Sequence, residues 1–289
     1  MRFVTFQRPG GVPEPGVFAL DRVVGLAPFG FPDVLSVVSR WPEVRPAITQ
    51  AALSEAARGI SLEGLRLLAP IPRPPKLICI GLNYRDHAIE SGMEIPKTPT
   101  VFCKFPSAIV GHGASIVLPK ASKQPDYEAE FAFVIGKGGR HIAAADWRDH
   151  VFGYTIVNDV SARDVQMATS QWIMGKTFDT FAPMGPCLVT ADEIPDPHAL
   201  DIALRITDAS GQTQILQSSN TRELIFKIPE LIAFLSSVFT LEPGDIVSTG
   251  TPSGVGFARK PPRYLQPGDD VVVGVQGLGE LRNPVVAET

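Results

Sequence analysis

A chain of 289 residues with 44% hydrophobic and 19% charged residues can bury a sizeable core and is too apolar for wholesale disorder. Its net charge of −4, with no lysine or arginine cluster, argues against nucleic acid and anionic membranes as partners. No run approaches membrane-spanning length, and the N-terminus lacks a signal-type apolar core. Cys79, Cys103 and Cys187 are too scattered for a metal motif, so the chain reads as a cytoplasmic protein with three buried free thiols.

In chain order, "RFVTFQ" and "GVFALDRVVGL" (16–26) read as short strands. "FPDVLSVVSRW" and "PAITQAALSEAARG" read as helices, the second opening at Pro46 and ending at Gly59. "APIPRPPK" (69–76) cannot be helical and marks a boundary. A small N-terminal α/β domain over 1–72 and a larger domain over 73–289 follow. Beyond residue 76 come "KLICIGLN", "TVFCKF", "ASIVLP", "YEAEFAFVIG", "VFGYTIVNDV", "CLVT", "LDIALRITD", "DIVSTGT" and "DDVVVGVQG", all β-type runs. One clear helix begins at Pro229, followed by the turn "EPGD". No βαβ rhythm and no repeat is visible. The pattern predicts a mainly β protein with some α (α+β), a mixed β-sandwich or rolled-up sheet rather than a Rossmann or barrel fold.

Within "DYEAEFAFVIG" (126–136), strand alternation puts Tyr127, Ala129, Phe131, Phe133 and Ile135 on one face and Asp126, Glu128, Glu130, Ala132 and Val134 on the other. Carboxylates two residues apart on a strand are about 6.6 Å apart and repel by roughly 2.5 kcal/mol at an effective dielectric of about 20. Either that face is wet, as on an edge strand, or it holds a cation. Oxygen-only ligands suit Mg²⁺, Mn²⁺ or Ca²⁺, whereas Zn²⁺ would want histidine or cysteine. Asp159, ending the apolar run of "GYTIVNDVSARD", is a candidate third carboxylate. Ser161 is placed there as a helix N-cap, and capping is the plain alternative role for Asp159 or Asp164.

In "GLNYRDHAIESG", His87 and Glu90 are three apart, one helical turn, which suits a general base with an orienting carboxylate; a surface helix pair gives the same spacing. Gly92, Pro96 and Pro99 suggest a lid. Lys176 is either a salt-bridged or solvated lysine, with Asp179 nearby, or a cation for a substrate carboxylate or enolate. "STGTPSGVG" (248–256) is not a P-loop; its N–H groups and the Thr251 hydroxyl could meet an anionic oxygen, or it is simply a tight turn.

Taken in order, "GLNYRDHAIE", "KFPSAIVG", "DYEAEFAFVIG", "NDVSARDVQ", "GKTFDTFAPMGP" and "TGTPSGVG" resemble the fumarylacetoacetate hydrolase superfamily over roughly residues 76 to 285. "SSNT" and "GFARKPP" resemble the branch of mammalian fumarylacetoacetate hydrolase domain-containing proteins, especially the second paralogue. The resemblance implies a mixed β-sandwich roll, usually dimeric, with Glu128, Glu130 and Asp159 holding Mg²⁺ or Mn²⁺, Ca²⁺ being a possible substitute. It implies a His87/Glu90 dyad on a lid, Lys176 and Lys104 stabilising an enolate, and Arg163, Gln166 and Thr251 binding substrate oxygens. Asp126 is not a ligand by this resemblance and is placed beside the site or at its rim. The implied activity is metal-dependent chemistry on 2-oxo or 2,4-dioxo carboxylic acids through a metal-bound enolate, with C–C hydrolysis of an acylpyruvate first. Oxaloacetate tautomerisation or decarboxylation and 2-hydroxyhepta-2,4-diene-1,7-dioate-type isomerisation are the alternatives. A non-catalytic scaffold is the remaining reading, in which the three carboxylates do not converge.

Overall fold

The computed structural model describes residues 1–19 and 21–289; Leu20, inside the expected strand 16–26, lies outside the described residues. The elements that build the site are, in chain order, β1 (Arg2–Gln7), β2 (Leu77–Gly81), α1 (Arg85–Glu90), β3 (Ala129–Ile135), β4 (Val151–Asn158), α2 (Arg163–Gln166), α3 (Ile173–Lys176), β5 (Ala182–Thr190), β6 (Thr213–Asn220), α4 (Ile228–Val238) and β7 (Ile246–Ser248).

The alternation in β3 sorts its side chains into two cores. Tyr127, Ala129, Phe131, Phe133 and Ile135 pack in one apolar cluster, Ala132 and Val134 in another. With both faces covered, β3 is a central strand, not the wet edge that the carboxylates alone would allow. Among the described residues it belongs to a twelve-stranded sheet whose middle runs β1–β5–β4–β3–β7–β2. β7 lies parallel to β2, Ile246 opposite Leu77, while β1 is antiparallel to β5, Phe3 opposite Leu188, so the N-terminal strands continue this sheet.

A five-stranded sheet, in the order β6, Asp201–Thr207, Asp270–Val275, Gly279–Ala287 and Ile116–Leu118, covers the first face with Leu204, Val271 and Val273. Helices Val34–Ser39 and Trp41–Ser54 cover the other with Val34, Val37 and Ile48. Sheet on sheet with helices at the flanks is the mixed β-sandwich that the sequence predicts.

Several local expectations need correction. The second helix starts at Trp41 and carries Pro46 inside it; the carbonyl that Pro46 cannot serve belongs to exposed Pro42, where water can satisfy it. Ser161 is no N-cap: it sits in a two-residue strand opposite Asp126, and its hydroxyl donates to the Asp159 carbonyl at 2.8 Å. The 127–136 strand is interrupted, because Tyr127 and Glu128 lie between Pro125–Asp126 and β3. Cys103 is exposed, not buried. The strands β6 and Gly279–Ala287 carried no sequence signal, since "TQILQSSN" and "GELRNPVVA" are mostly polar or punctuated by proline and glycine.

Candidate active site

The ends of β3 and β4 set two of the carboxylates through the backbone and the Asn158 side chain. Ala129 faces Asn158 across the ladder. Just beyond it, Asp159 N–H donates to the Glu128 carbonyl at 2.9 Å, and Glu128 N–H donates to Asn158 Oδ1 at 3.1 Å. Glu130 follows two residues later on the same side as Glu128. Ligand oxygens of Glu128, Glu130 and Asp159 all lie within 4.8 Å of one another, and all three residues are buried.

Three cations converge on this cluster. Lys176 Nζ donates to Glu128 Oε2 at 2.7 Å and Asp159 Oδ2 at 2.8 Å. It arrives there because Gly175 lets α3 press against α2: a Cβ at Gly175 would stand 2.4 Å from Gln166 N. Its partner is therefore not Asp179. Lys104 Nζ donates to Asp159 Oδ1 at 2.5 Å and to the Val160 carbonyl at 2.9 Å. Arg163 Nη2 stands 2.6 Å from Glu128 Oε1, an ion pair off the hydrogen-bond axis. Burial alone would raise the Glu128 carboxyl, but Lys176 and Arg163 outweigh it and hold it below the usual range. Burial would likewise lower Lys176, yet Asp159 and Glu128 keep it raised, whereas for Lys104 burial wins and the ammonium is pulled down.

Glu130 differs. Its Oε2 accepts from the Ser248 hydroxyl at 2.5 Å and from Gly250 N–H at 3.1 Å, and among the described residues it has no ion pair. Burial, then Asp159 and Glu128, push its carboxyl well above the ordinary value. A buried, all-oxygen cluster in which one carboxylate lacks a counter-charge fits a divalent hard cation, with Glu128, Glu130 and Asp159 as its holders.

Asp126 is not at the rim. It is fully buried and ties the surroundings together: Oδ2 accepts from Arg163 Nε at 2.9 Å and Phe257 N–H at 3.0 Å, Oδ1 from Gly256 N–H at 2.7 Å and Tyr127 N–H at 2.9 Å. The guanidinium lies 4.6 Å from the Phe257 ring centroid, and its Nη1 donates to Gln166 Oε1 at 3.0 Å. The Gly-rich loop does offer N–H groups to anionic oxygens, as its composition suggests, but the acceptors are the protein's own carboxylates: Glu130 at Gly250, Glu90 at Gly254 and Asp126 at Gly256. The Thr251 hydroxyl accepts from Gln217 Nε2 at 2.8 Å.

His87 and Glu90 lie on α1, with His87 Nδ1 3.5 Å from Glu90 Oε2, longer than a normal hydrogen bond. Burial would raise Glu90, but His87 and the Gly254 N–H lower it. Asn83 pins the start of the segment by donating to the Thr249 and Phe226 carbonyls. Asp86 pins the helix by accepting from Ser219 Oγ at 2.6 Å and Ser253 Oγ at 3.3 Å.

His87, Arg163, Gln166, Lys176 and Thr251, with the three carboxylates, line one cavity of about 150 Å³. Lys104 and Glu90 stand behind that lining. Apolar walls come from Ile80, Leu82, Met93, Phe102, Trp172 and Phe257. Sequence reasoning missed Ser248, Gln217, Asp86 and Ser91. Each is a polar side chain whose partners or surroundings come from distant segments; Asp86, Ser91 and Ser248 stood in motifs already singled out, but nothing in those motifs assigned them a role.

A family model described as fumarylacetoacetate (FAA) hydrolase C-terminal matches residues 76–286. The chain is 46% identical over 294 residues to a Rattus norvegicus protein named oxaloacetate tautomerase Fahd2a, mitochondrial, covering 99% of this chain and 92% of that one. Among solved structures, fumarylacetoacetate hydrolase from psychrophilic Exiguobacterium antarcticum superposes with a TM-score of 0.84 at 33% identity, covering all of both chains. Maleylpyruvate hydrolase from Sphingobium sp. SYK-6, in complex with manganese(II) ion and pyruvate, gives 0.82 at 31% identity, again over all of both chains. The rat relative's mitochondrial name, which a Bos taurus relative shares, overturns the cytoplasmic expectation. Unpaired cysteines argue against an oxidising compartment but do not choose among reducing ones.

Proposed function

We propose that this chain, which belongs to the fumarylacetoacetate hydrolase family, is a divalent-metal-dependent enzyme that interconverts the enol and keto forms of oxaloacetate or a close 2-oxo acid. The observation that carries the reading is the charge balance of the buried cluster. With all four ionised, the carboxylates Asp126, Glu128, Glu130 and Asp159 face three cations (Lys104, Lys176, Arg163), one negative charge in excess, and Glu130 is the one without an ion pair among the described residues. A dication would leave one positive charge in excess, matched to the carboxylate of a 2-oxo acid. Mg²⁺ and Mn²⁺ both suit three carboxylates, and the manganese-bound relative supports Mn²⁺.

When bound, the ion would supply Lewis-acid polarisation of the 2-oxo group. In the keto-to-enol direction His87 takes a proton from C3 and its imidazolium delivers that proton to the C2 oxygen; in the reverse direction it takes the enol proton and returns it to C3, with Glu90 orienting the imidazole from its Nδ1 side. Lys176 stabilises the negative charge growing on the C2 oxygen, and Lys104 holds Asp159 in place. Arg163, Gln166 and the Thr251 hydroxyl orient the substrate carboxylate. The walls of Phe102, Trp172 and Phe257 keep bulk water away, which favours proton transfer over attack by water.

C–C hydrolysis, which the sequence put first, moves to second place: the relative named a tautomerase is 46% identical, the hydrolases 31–33%. Proton NMR on oxaloacetate and acetylpyruvate with Mg²⁺ or Mn²⁺ tests the order. Faster loss of the oxaloacetate enol with no new product supports tautomerisation; acetate from acetylpyruvate supports hydrolysis; pyruvate from oxaloacetate supports decarboxylation. We also propose a homodimer, supported by the exposed apolar side chains Ile89, Val101, Phe105, Met167 and Met174. Sedimentation velocity would show a monomer if that is wrong.

A further inference from the structure

We propose that Ser91 is a specificity-determining residue: its hydroxyl recognises an oxygen at the far end of the substrate, a second carboxylate, and so selects 2-oxo dicarboxylic acids over 2-oxo acids with an apolar tail. This rests on the reading of the cavity as a 2-oxo acid site.

Nearly every polar group of the cavity is engaged by another. Glu128 and Asp159 hold Lys176, Glu130 accepts from Ser248, Arg163 is shared by Asp126, Glu128 and Gln166, and Thr251 accepts from Gln217. Ser91 Oγ is different. It is buried, its residue lines the cavity, and among the described residues it has no hydrogen-bond partner. Buried hydroxyls are normally paired, and an unpaired one is costly.

Its position gives the missing partner a location. Ser91 caps the C-terminus of α1, where its own N–H donates to the His87 carbonyl at 3.0 Å and Gly92 at φ 64° ends the helix. Four residues after His87, it shares that residue's helix face. His87 Nδ1, by contrast, faces Glu90 Oε2 at 3.5 Å. Helix α1 therefore brings one unspent hydroxyl to a cavity whose apolar walls include Leu82, Met93 and Trp172. With the 2-oxo carboxylate head at the carboxylate cluster, what reaches the lid is the substrate's other end. A methyl there would leave the hydroxyl unpaired, whereas a carboxylate oxygen would accept from it. A site built to hydrogen-bond a group discriminates strongly against ligands lacking it.

L-malate and L-lactate, two non-reacting 2-hydroxy acids with the same head, differ by the distal carboxylate. Calorimetry of the full chain with Mn²⁺ should show wild type binding malate more tightly than lactate. Ser91→Ala should shrink that preference by about tenfold or more, with lactate affinity held within about twofold, the scale of one hydrogen bond to a charged group. Ser91→Thr, which keeps the hydroxyl, should retain the preference. An undiminished preference in Ser91→Ala, or an equal loss for both acids, overturns the inference alone. Binding of neither acid by wild type overturns the 2-oxo acid reading and this inference with it.

Discussion

Lys176 Nζ stands 2.7 Å from Glu128 Oε2, with both side chains buried. The same ammonium reaches Asp159, so one lysine holds together carboxylates from two strand ends. Removing it leaves them crowded, Glu128 with only Arg163 and Asp159 with only Lys104 as counter-charge. Lys176→Met should destabilise the chelator-treated protein by about 3 kcal/mol, the order found when one partner of a buried ion pair is deleted. Mn²⁺ should restore part of that loss, because a dication can replace the missing charge. Denaturant unfolding with EDTA and with Mn²⁺ measures both; equal loss under the two conditions would argue against a cation site.

Glu130 gives a pH prediction. Its folded-state carboxyl is raised above the ordinary 4.5 by burial and then by Asp159 and Glu128. A group whose folded pKa is raised in this way costs nothing below its unfolded value, and progressively more as pH climbs above it. Metal-free wild type should therefore lose stability from this group as pH rises above 4.5, and Glu130→Gln should flatten that slope. The same variant should lose most of the metal-induced stabilisation, which for a ligand at a hundred times its Kd is about 2.7 kcal/mol. Thermal melts across pH, with and without Mn²⁺, read both effects.

Asp126 holds Arg163 and the backbone of Gly256 and Phe257 at once. Asp126→Ala should cost about 3 kcal/mol or more, since it takes from the buried Arg163 one of its two carboxylate partners and leaves the N–H groups of Tyr127, Gly256 and Phe257 without their acceptor. Limited proteolysis should then open the chain near 254–259, while wild type resists cleavage there.

A Cβ at Gly256 would stand 2.1 Å from the Arg263 carbonyl and 2.5 Å from Asp126 Oδ1. Gly256→Ala should therefore destabilise by about 1–3 kcal/mol through overpacking and weaken substrate binding by displacing Phe257. Gly113→Ala offers a contrast: no atom lies within 4 Å of its Cβ, so only its φ of 79° is strained. Chemical denaturation of the two variants separates crowding from backbone strain.

The two faces of residues 127–135 were legible because strand alternation has a fixed period, and each face packs into its own core. His87 and Glu90 were legible by helical spacing. Asp159 was less so: its place at the end of an apolar run made it a candidate and the family resemblance made it a ligand, but its closeness to Glu128 arises from a ladder between distant segments. Asp126, Ser248 and Gln217 were opaque in their roles because serine, aspartate and glutamine are usually surface residues. Only the tertiary fold brings them to Arg163, Glu130 and Thr251. The Gly-rich loop could be read either as a donor of N–H groups to anionic oxygens or as a tight turn; its N–H groups do meet carboxylates, and which ones depended on the docking of α1 and β3.

The most direct test is the rate at which the ultraviolet absorbance of oxaloacetate enol decays in the presence of metal-stripped protein, before and after Mn²⁺ is added, for wild type and Glu128→Ala. The account predicts metal-dependent acceleration by wild type, with total oxaloacetate conserved, and loss of at least about a hundredfold in the variant, the scale of removing a group that supports a bound Lewis acid. Acceleration that persists in EDTA, or an equally fast Glu128→Ala, would contradict it.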